Sequence, residues 1–324
     1  MQQTFTDFSA FDMFIDKKTL LVCDNAFDLF GIKLPFDFVR FSDFKSNPLF
    51  EDAIAGAEVF RQNKCDSIVA IGGGSSIDTA KCVKYLSHSD APIMAVPTTS
   101  GTGSEATHFA AIYRGGEKHS IADEKLTPDY VILQPDTLNT LPVYQKKCTM
   151  MDALCQAIES WWSKKATSES IGYSRQAIGL ILANMERYLA NEAECNRNMM
   201  AASNLAGKAI NITTTTAPHA MSYKLTTLYG LPHGHAVALC LPKVWRYMGN
   251  FVDIAQALGK RDSNEAVMWF ELLLKSMEIM PPENASADDL ETLVNSVNAQ
   301  RLGNNPLRLE KDAIKAIYKE TLEV

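Results

Sequence analysis

The stretch Ser67–Lys81, SIVAIGGGSSIDTAK, reads as a strand, a turn and the start of a helix. Ser67-Ile-Val-Ala-Ile71 is a short, β-branched apolar run, the kind a parallel sheet buries on both faces. Three glycines break it, and helical spacing follows over Ser76–Leu86. Successive glycines let a backbone approach a phosphate closely, and the helix that follows offers free N–H groups and the positive end of its dipole. Gly73, Gly74 and Ser75 are therefore candidate cofactor residues, with Asp78 suited to the first helical turn. The GxxxxGK[ST] spacing of an ATP-type loop is absent. The competing reading is a glycine-rich connection that binds nothing.

Working outward, the same alternation recurs. Thr19–Cys23, Pro92–Val96 and Tyr130–Leu133 are strand candidates, Phe50–Asn63 is an amphipathic helix, and Arg114-Gly-Gly suggests a hairpin. Strands alternating with helices predict a parallel sheet with helices on both faces. After Pro142 the pattern becomes helical, over Met151–Trp162, Ser170–Leu189, Arg197–Ala209, Ala236–Met248, Ser263–Met277 and Glu310–Glu323. The expectation is an α/β dinucleotide-binding domain over residues 1–144 and an all-helical domain over 145–324. Neither repeats nor low-complexity segments are visible.

A second turn follows the Pro92–Val96 strand: PTTSGTGSE, Pro97–Glu105. Its match to GxGxxG/A is weak by itself, but Thr98, Thr99, Thr102 and Ser104 crowd hydroxyls into it. Two such turns at the carboxyl edge of a parallel sheet suit the two phosphates and two riboses of a dinucleotide. Asp24 ends the first strand, where an acid accepts from a ribose and repels a 2′-phosphate, favouring NAD over NADP. An ordinary capping aspartate is the alternative.

In the helical half, Ala217–Ala236 reads APHAMSYKLTTLYGLPHGHA and holds three of the six histidines. On one straight helix His219 and His233 would lie ~21 Å apart, at about 1.5 Å per residue. Tyr229-Gly-Leu-Pro232 is a breaker cluster that lets the chain reverse and bring the two imidazoles onto one metal. Capping or core packing is the competing reading. Asp152 and Gln156 stand four apart on one face of a further helix, among core residues where a bare carboxylate is costly.

Bulk properties narrow the function. The 324 residues are 46% hydrophobic and 21% charged with net charge −7, which argues against a nucleic-acid or anionic-membrane surface. Apolar runs stay below the ~18 residues of a membrane span. MQQTFTDFSAFDMF lacks the basic start of a secretory signal. Seven scattered cysteines without a CxxC pair read as reduced thiols of a cytoplasmic protein.

GGGSSIDTAK, PTTSGTGSE, MDALCQAIES and PHAMSY with GLPHG occur in the order and spacing that resembles the iron-containing (group III) alcohol dehydrogenases. The likeness runs from about Leu20 to NNPLRLEKDAIKAIY. It implies the dehydroquinate synthase-like fold of that family, NAD(P) on the glycine turns and one divalent metal, Fe2+ or Zn2+, in the helical domain. Carried over by position, Asp152, His219 and His233 are implied as metal-binding and catalytic. The family's usual fourth ligand, a histidine, is Gln156 here, which stays in the implied metal set. Tyr223, where many members carry another histidine, is implied as catalytic, relaying a proton or packing the site. The start of the chain falls short of the family's usual first strands. The segments MDALCQAIESWWS, AGKAINI and TTAPHAMSYKLT look most like the branch that includes phosphonoacetaldehyde reductases.

The implied activity is reversible hydride transfer between NAD(H) and a small aldehyde or alcohol, by a homodimer. A dehydroquinate synthase-like cyclase and a non-catalytic nucleotide-binding relic are the alternatives.

Overall fold

The computed structural model describes residues 2–115, 117–298 and 302–324. The chain forms two compact units, Met1–Pro142 with Ala190–Gly207, and Val143–Leu189 with Lys208–Val324.

The first unit is built on a six-stranded parallel sheet: β1 (Gln3–Phe5), β2 (Thr19–Cys23), β3 (Phe38–Phe41), β4 (Ser67–Gly72), β5 (Ile93–Pro97) and β8 (Tyr130–Ile132), ordered β1-β8-β5-β4-β2-β3. The antiparallel pair β6 (Phe109–Arg114) and β7 (Glu117–Ala122) lies outside it. The expected hairpin is this pair, though residue 116 of its turn lies outside the described residues. Register aligns Cys23 with Ile71, and Gly72 with Pro97. Asp24, Gly73 and Thr98 therefore each follow a strand end at one edge of the sheet, because the three apolar runs stop at matched lengths.

Alternation along the strands divides the core. Leu20, Val22, Ile68, Ala70, Ile93 and Ala95 face α1 (Phe50–Gln62) and α2 (Gly74–Leu86). Leu21, Cys23, Val69, Ile71, Met94 and Val96 face the other way, onto Phe11 and Phe14 of a short 3-10 segment and onto Phe36. Helical segments thus cover both faces as expected, though on the second face the helix is a short 3-10 segment rather than an α-helix. Large aromatic rings on short segments bury that second face without a long helix.

The second unit is helical: α3 (Val143–Trp162), α4 (Ser168–Leu189), the end of α5 (Asn196–Thr213), α6 (Ala217–Tyr229), α7 (His233–Met248), α8 (Val252–Ala257), α9 (Ser263–Ser276), α10 (Leu290–Ser296) and α11 (Lys311–Leu322). Ala217, Met221 and Leu225 of α6 recur at four-residue spacing and pack with Ala236, Cys240 and Val244 of α7. Among the described residues, no helix is long and apolar enough to cross a membrane.

Candidate functional site

Two local devices bring the ligand-type side chains of the helical unit together. The first is the reversal between α6 and α7. Gly230 adopts φ 70°, a left-handed conformation that glycine takes without strain, and closes α6; Pro232 then caps α7. The rings of His219 and His233 come to 5.3 Å, centre to centre. The second is Gly234. A Cβ there would run into the Cys148 carbonyl and stand 2.9 Å from Asp152 Cβ. Only a glycine lets the start of α7 lie directly on α3. One ligand atom each from Asp152, His219 and His233 then falls within 4.8 Å of the others. It is the one such group of three His, Cys, Asp or Glu residues among the described residues.

Asp152, Gln156 and Glu159 follow one face of α3 at four- and three-residue spacing, and all three are buried. Glu159 Oε1 is bonded to His219 Nδ1. Its Oε2 accepts from Thr216 N at 2.7 Å and Thr216 Oγ1 at 2.8 Å, and that hydroxyl accepts from Trp162 Nε1 at 2.8 Å. An ionised carboxylate only accepts, so Nδ1 carries a proton, and in the neutral ring Nε2 is the nitrogen left with a lone pair for a metal. Nε2 is buried, makes no hydrogen bond, and lies 3.3 Å from Asp152 Oδ1. Two acceptors facing across that gap repel unless positive charge joins them. Burial by itself would lower the His219 pKa, but Glu159 and Asp152 outweigh it and raise the value to about 9, so without a metal the ring takes a second proton at neutral pH, on Nε2 facing Asp152. The surroundings thus call for a cation at Nε2. A donor set of two imidazoles and one carboxylate suits Zn2+ or Fe2+.

Tyr223, one turn after His219, stacks on His233 at 5.7 Å and 16°. His235 belongs elsewhere. Its Nε2 donates to Met280 O at 2.8 Å and its Nδ1 accepts from Tyr144 Oη at 2.8 Å, so the ring is neutral and structural.

The glycine turns meet in the first unit. A Cβ on Gly74 would stand 2.7 Å from the Thr102 side chain, and one on Gly73 would lie 3.3 Å from Thr99. Thr98 N bonds to Gly72 O at 3.0 Å, extending the β4–β5 ladder into the turn. Asp24 Oδ1 accepts from Ala26 N at 2.9 Å, so this aspartate does cap the next segment. Three nominated side chains are engaged inside the protein. Ser75 Oγ donates to Ser46 O. Ser104 Oγ donates to Asp78 Oδ1, and Asp78 Oδ2 accepts from Ala111 N at 3.0 Å. Asp78 is a brace between α2, the second turn and β6; the helix-dipole argument that nominated it does not describe its contacts.

Sequence reasoning missed Glu159, Gly234 and Lys81. Glu159 carried a usable signal, an acid seven residues after Asp152 on the same buried face. Lys81 ended the quoted motif, but the letter alone does not distinguish a buried lysine from a solvated one.

Comparison with known proteins agrees with this architecture. Residues 12–135 match the family model for iron-containing alcohol dehydrogenase, and residues 147–322 that for the C-terminal part of the Fe-containing alcohol dehydrogenase family. Phosphonoacetaldehyde reductase of Streptomyces viridochromogenes is 28% identical over 323 residues, spanning 86% of this chain and 82% of that protein. An iron-containing alcohol dehydrogenase of Thermotoga maritima superposes with a TM-score of 0.90 at 26% identity, covering 100% of this chain and 98% of its own. Sulfoacetaldehyde reductase of Bifidobacterium kashiwanohense, solved with NAD+, gives 0.91 at 25% identity, covering 100% and 97%. With both family models matched over most of its length and the metal-type group in place, the chain belongs to the iron-containing alcohol dehydrogenase family.

Proposed function

We propose that this protein is a metal-requiring, NAD-dependent oxidoreductase that interconverts small aldehydes and alcohols. The observation that carries the reading is the convergence of buried Asp152 and His219 with half-buried His233. These three would hold one Fe2+ or Zn2+, with Gln156 a turn along α3 in place of the fourth histidine. The bound ion would act as a Lewis acid on the carbonyl oxygen, and NAD(H) would supply or accept the hydride.

The chain's own residues do the positioning. Glu159 fixes the ring and tautomer of His219. Tyr223 holds the His233 ring by stacking. Burial of Asp152 and His219 keeps water from competing at the charge-bearing atoms. In the first unit, Gly73, Gly74, Thr98, Thr99 and Thr102 offer main-chain N–H groups and hydroxyls to the pyrophosphate, while Asp24 favours a free ribose 2′-hydroxyl, hence NAD. Ser75, Asp78 and Ser104 shape the turns. The named activity of the Streptomyces relative supports phosphonoacetaldehyde as the first substrate to test.

Our reading also includes a homodimer in a reducing, cytoplasmic setting. All seven cysteines are free and buried, which supports the compartment; light scattering tests the dimer.

The deciding experiment measures NADH consumption over a panel of small aldehydes, phosphonoacetaldehyde among them, with Fe2+ or Zn2+ added back to chelator-stripped protein. Elemental analysis of untreated protein accompanies it. Metal-dependent NADH loss with about one metal per chain is expected. Metal-loaded protein that turns over an extended phosphorylated substrate without net NADH loss would mean a cyclase. Protein purified without chelator and free of metal would mean a binding relic.

A further inference from the structure

Lys81 lies on α2, fully buried. Its Nζ is surrounded by five oxygens: Ser104 O at 2.5 Å, Thr107 O at 2.8 Å, Phe109 O at 2.9 Å, Thr107 Oγ1 at 3.0 Å and Ser104 Oγ at 3.2 Å. Three of these are main-chain carbonyls, drawn from a six-residue stretch and aimed at one point. Carbonyl dipoles converging in that way repel one another unless a cation sits at their focus. Burial outweighs the opposing pull of Asp78 on the same helix and Glu105 on the caged segment and lowers the Lys81 pKa to about 8. Cys82 beside it is held as the thiol by burial. At neutral pH the ammonium is therefore charged.

The cage sits at one foot of the second glycine turn. Gly103, at φ 59°, leads directly into Ser104, and Ser104 N donates to Thr102 Oγ1 at 3.2 Å. The other foot is fixed by the bond from Thr98 N to Gly72 O. Between those two anchors lie Thr99 and Thr102.

We propose that Lys81 is the positioning residue of the cofactor turn: its ammonium gathers Ser104–Phe109 as a bound cation would, and so presets Thr98–Gly103 before NAD(H) arrives. This rests on the reading that NAD(H) binds these turns. Without the ammonium the carbonyls spread apart, and ordering the turn becomes a cost of binding the cofactor.

The test uses the metal-loaded full chain and NADH itself as the probe, followed by the fluorescence of bound NADH. Lys81→Met is expected to raise the NADH Kd at least tenfold while kcat at saturating NADH stays within about threefold. Thr107→Val removes one cage oxygen with little change of volume, and is expected to raise Kd a few-fold. Cys82→Ala serves as the control: it removes a buried sulfur from the neighbouring position without touching the cage, lowers the melting temperature and leaves Kd unchanged. If Lys81→Met lowers the melting temperature but leaves Kd at the wild-type value, the residue is merely structural and the proposal is overturned. Should Lys81→Met not fold, an unchanged Kd in Thr107→Val overturns it equally. Wild-type protein that fails to bind NADH would instead sink the underlying cofactor reading.

Discussion

At the residue scale, the candidate metal group depends on two residues outside the proposed ligand set. Glu159→Gln tests the first. The amide would present its oxygen to the two Thr216 donors and its NH2 to His219 Nδ1. The proton then moves to Nε2, which loses its lone pair and hydrogen-bonds to Asp152 instead. Metal affinity should fall about 10- to 100-fold, the usual scale for such outer partners; titration against a competing chelator reads it, and an unchanged affinity refutes the tautomer argument. Gly234→Ala tests the second. A methyl group driven against the Cys148 carbonyl must lift α7 off α3, an overpacking cost of about 1–3 kcal/mol. Bound metal should be lost while helical circular dichroism persists. What the sequence showed here was chemical type: two histidines, an aspartate and a breaker between them. Glu159 was harder to see because an acid inside a helix has the same letters whether it faces solvent or an imidazole. Gly234 was harder still, since its role depends on a carbonyl 86 residues away.

At the element scale, legibility follows burial. The three central strands were visible because residues closed in on both faces must be apolar, and β2, β4 and β5 are buried along their whole lengths. The edge strands β1 and β3 lack that constraint. Gln3–Phe5 and Phe38–Phe41 are mostly exposed or half-exposed, so no apolar run marks them. Glycines in helices carry a matching lesson, because the same residue has opposite effects according to what lies beside it. Gly207 on α5 touches the second turn: a Cβ there would lie 2.5 Å from Gly103 O and 3.1 Å from Ala106 Cβ. Gly179 on α4 is exposed with nothing within 4 Å of an added Cβ. Gly207→Ala should therefore destabilise by roughly 1–3 kcal/mol. Gly179→Ala should stabilise by roughly 0.5–1 kcal/mol, the helical penalty of glycine removed. Calorimetry reads both, and melting shifts of the same sign would contradict the packing described.

At the scale of the whole molecule, the chain order is a poor guide to which segments pack together. A boundary near residue 144 follows from the change of periodicity, yet Ala190–Gly207 packs with the first unit. Nothing in the composition of those residues announces it; the apposition of Gly103 and Gly207 and the bond from Asn204 Nδ2 to Glu105 Oε1 at 3.1 Å hold them there. The metal group, by contrast, lies wholly within the second unit, drawn from α3, α6 and α7. The three proposed ligands are distant in sequence and do not converge in an unfolded chain, so a metal held by them would add directly to the stability of the native state. At a free ion concentration about 100 times Kd the gain is about 2.7 kcal/mol. For a chain of 324 residues that corresponds to a rise of roughly 4 °C in melting temperature. Chelator-stripped protein should therefore melt lower than protein with Zn2+ restored, and His233→Ala should melt at one temperature with or without the ion. A metal-dependent shift that survives in His233→Ala would place the ion elsewhere and undo the assignment of Asp152, His219 and His233.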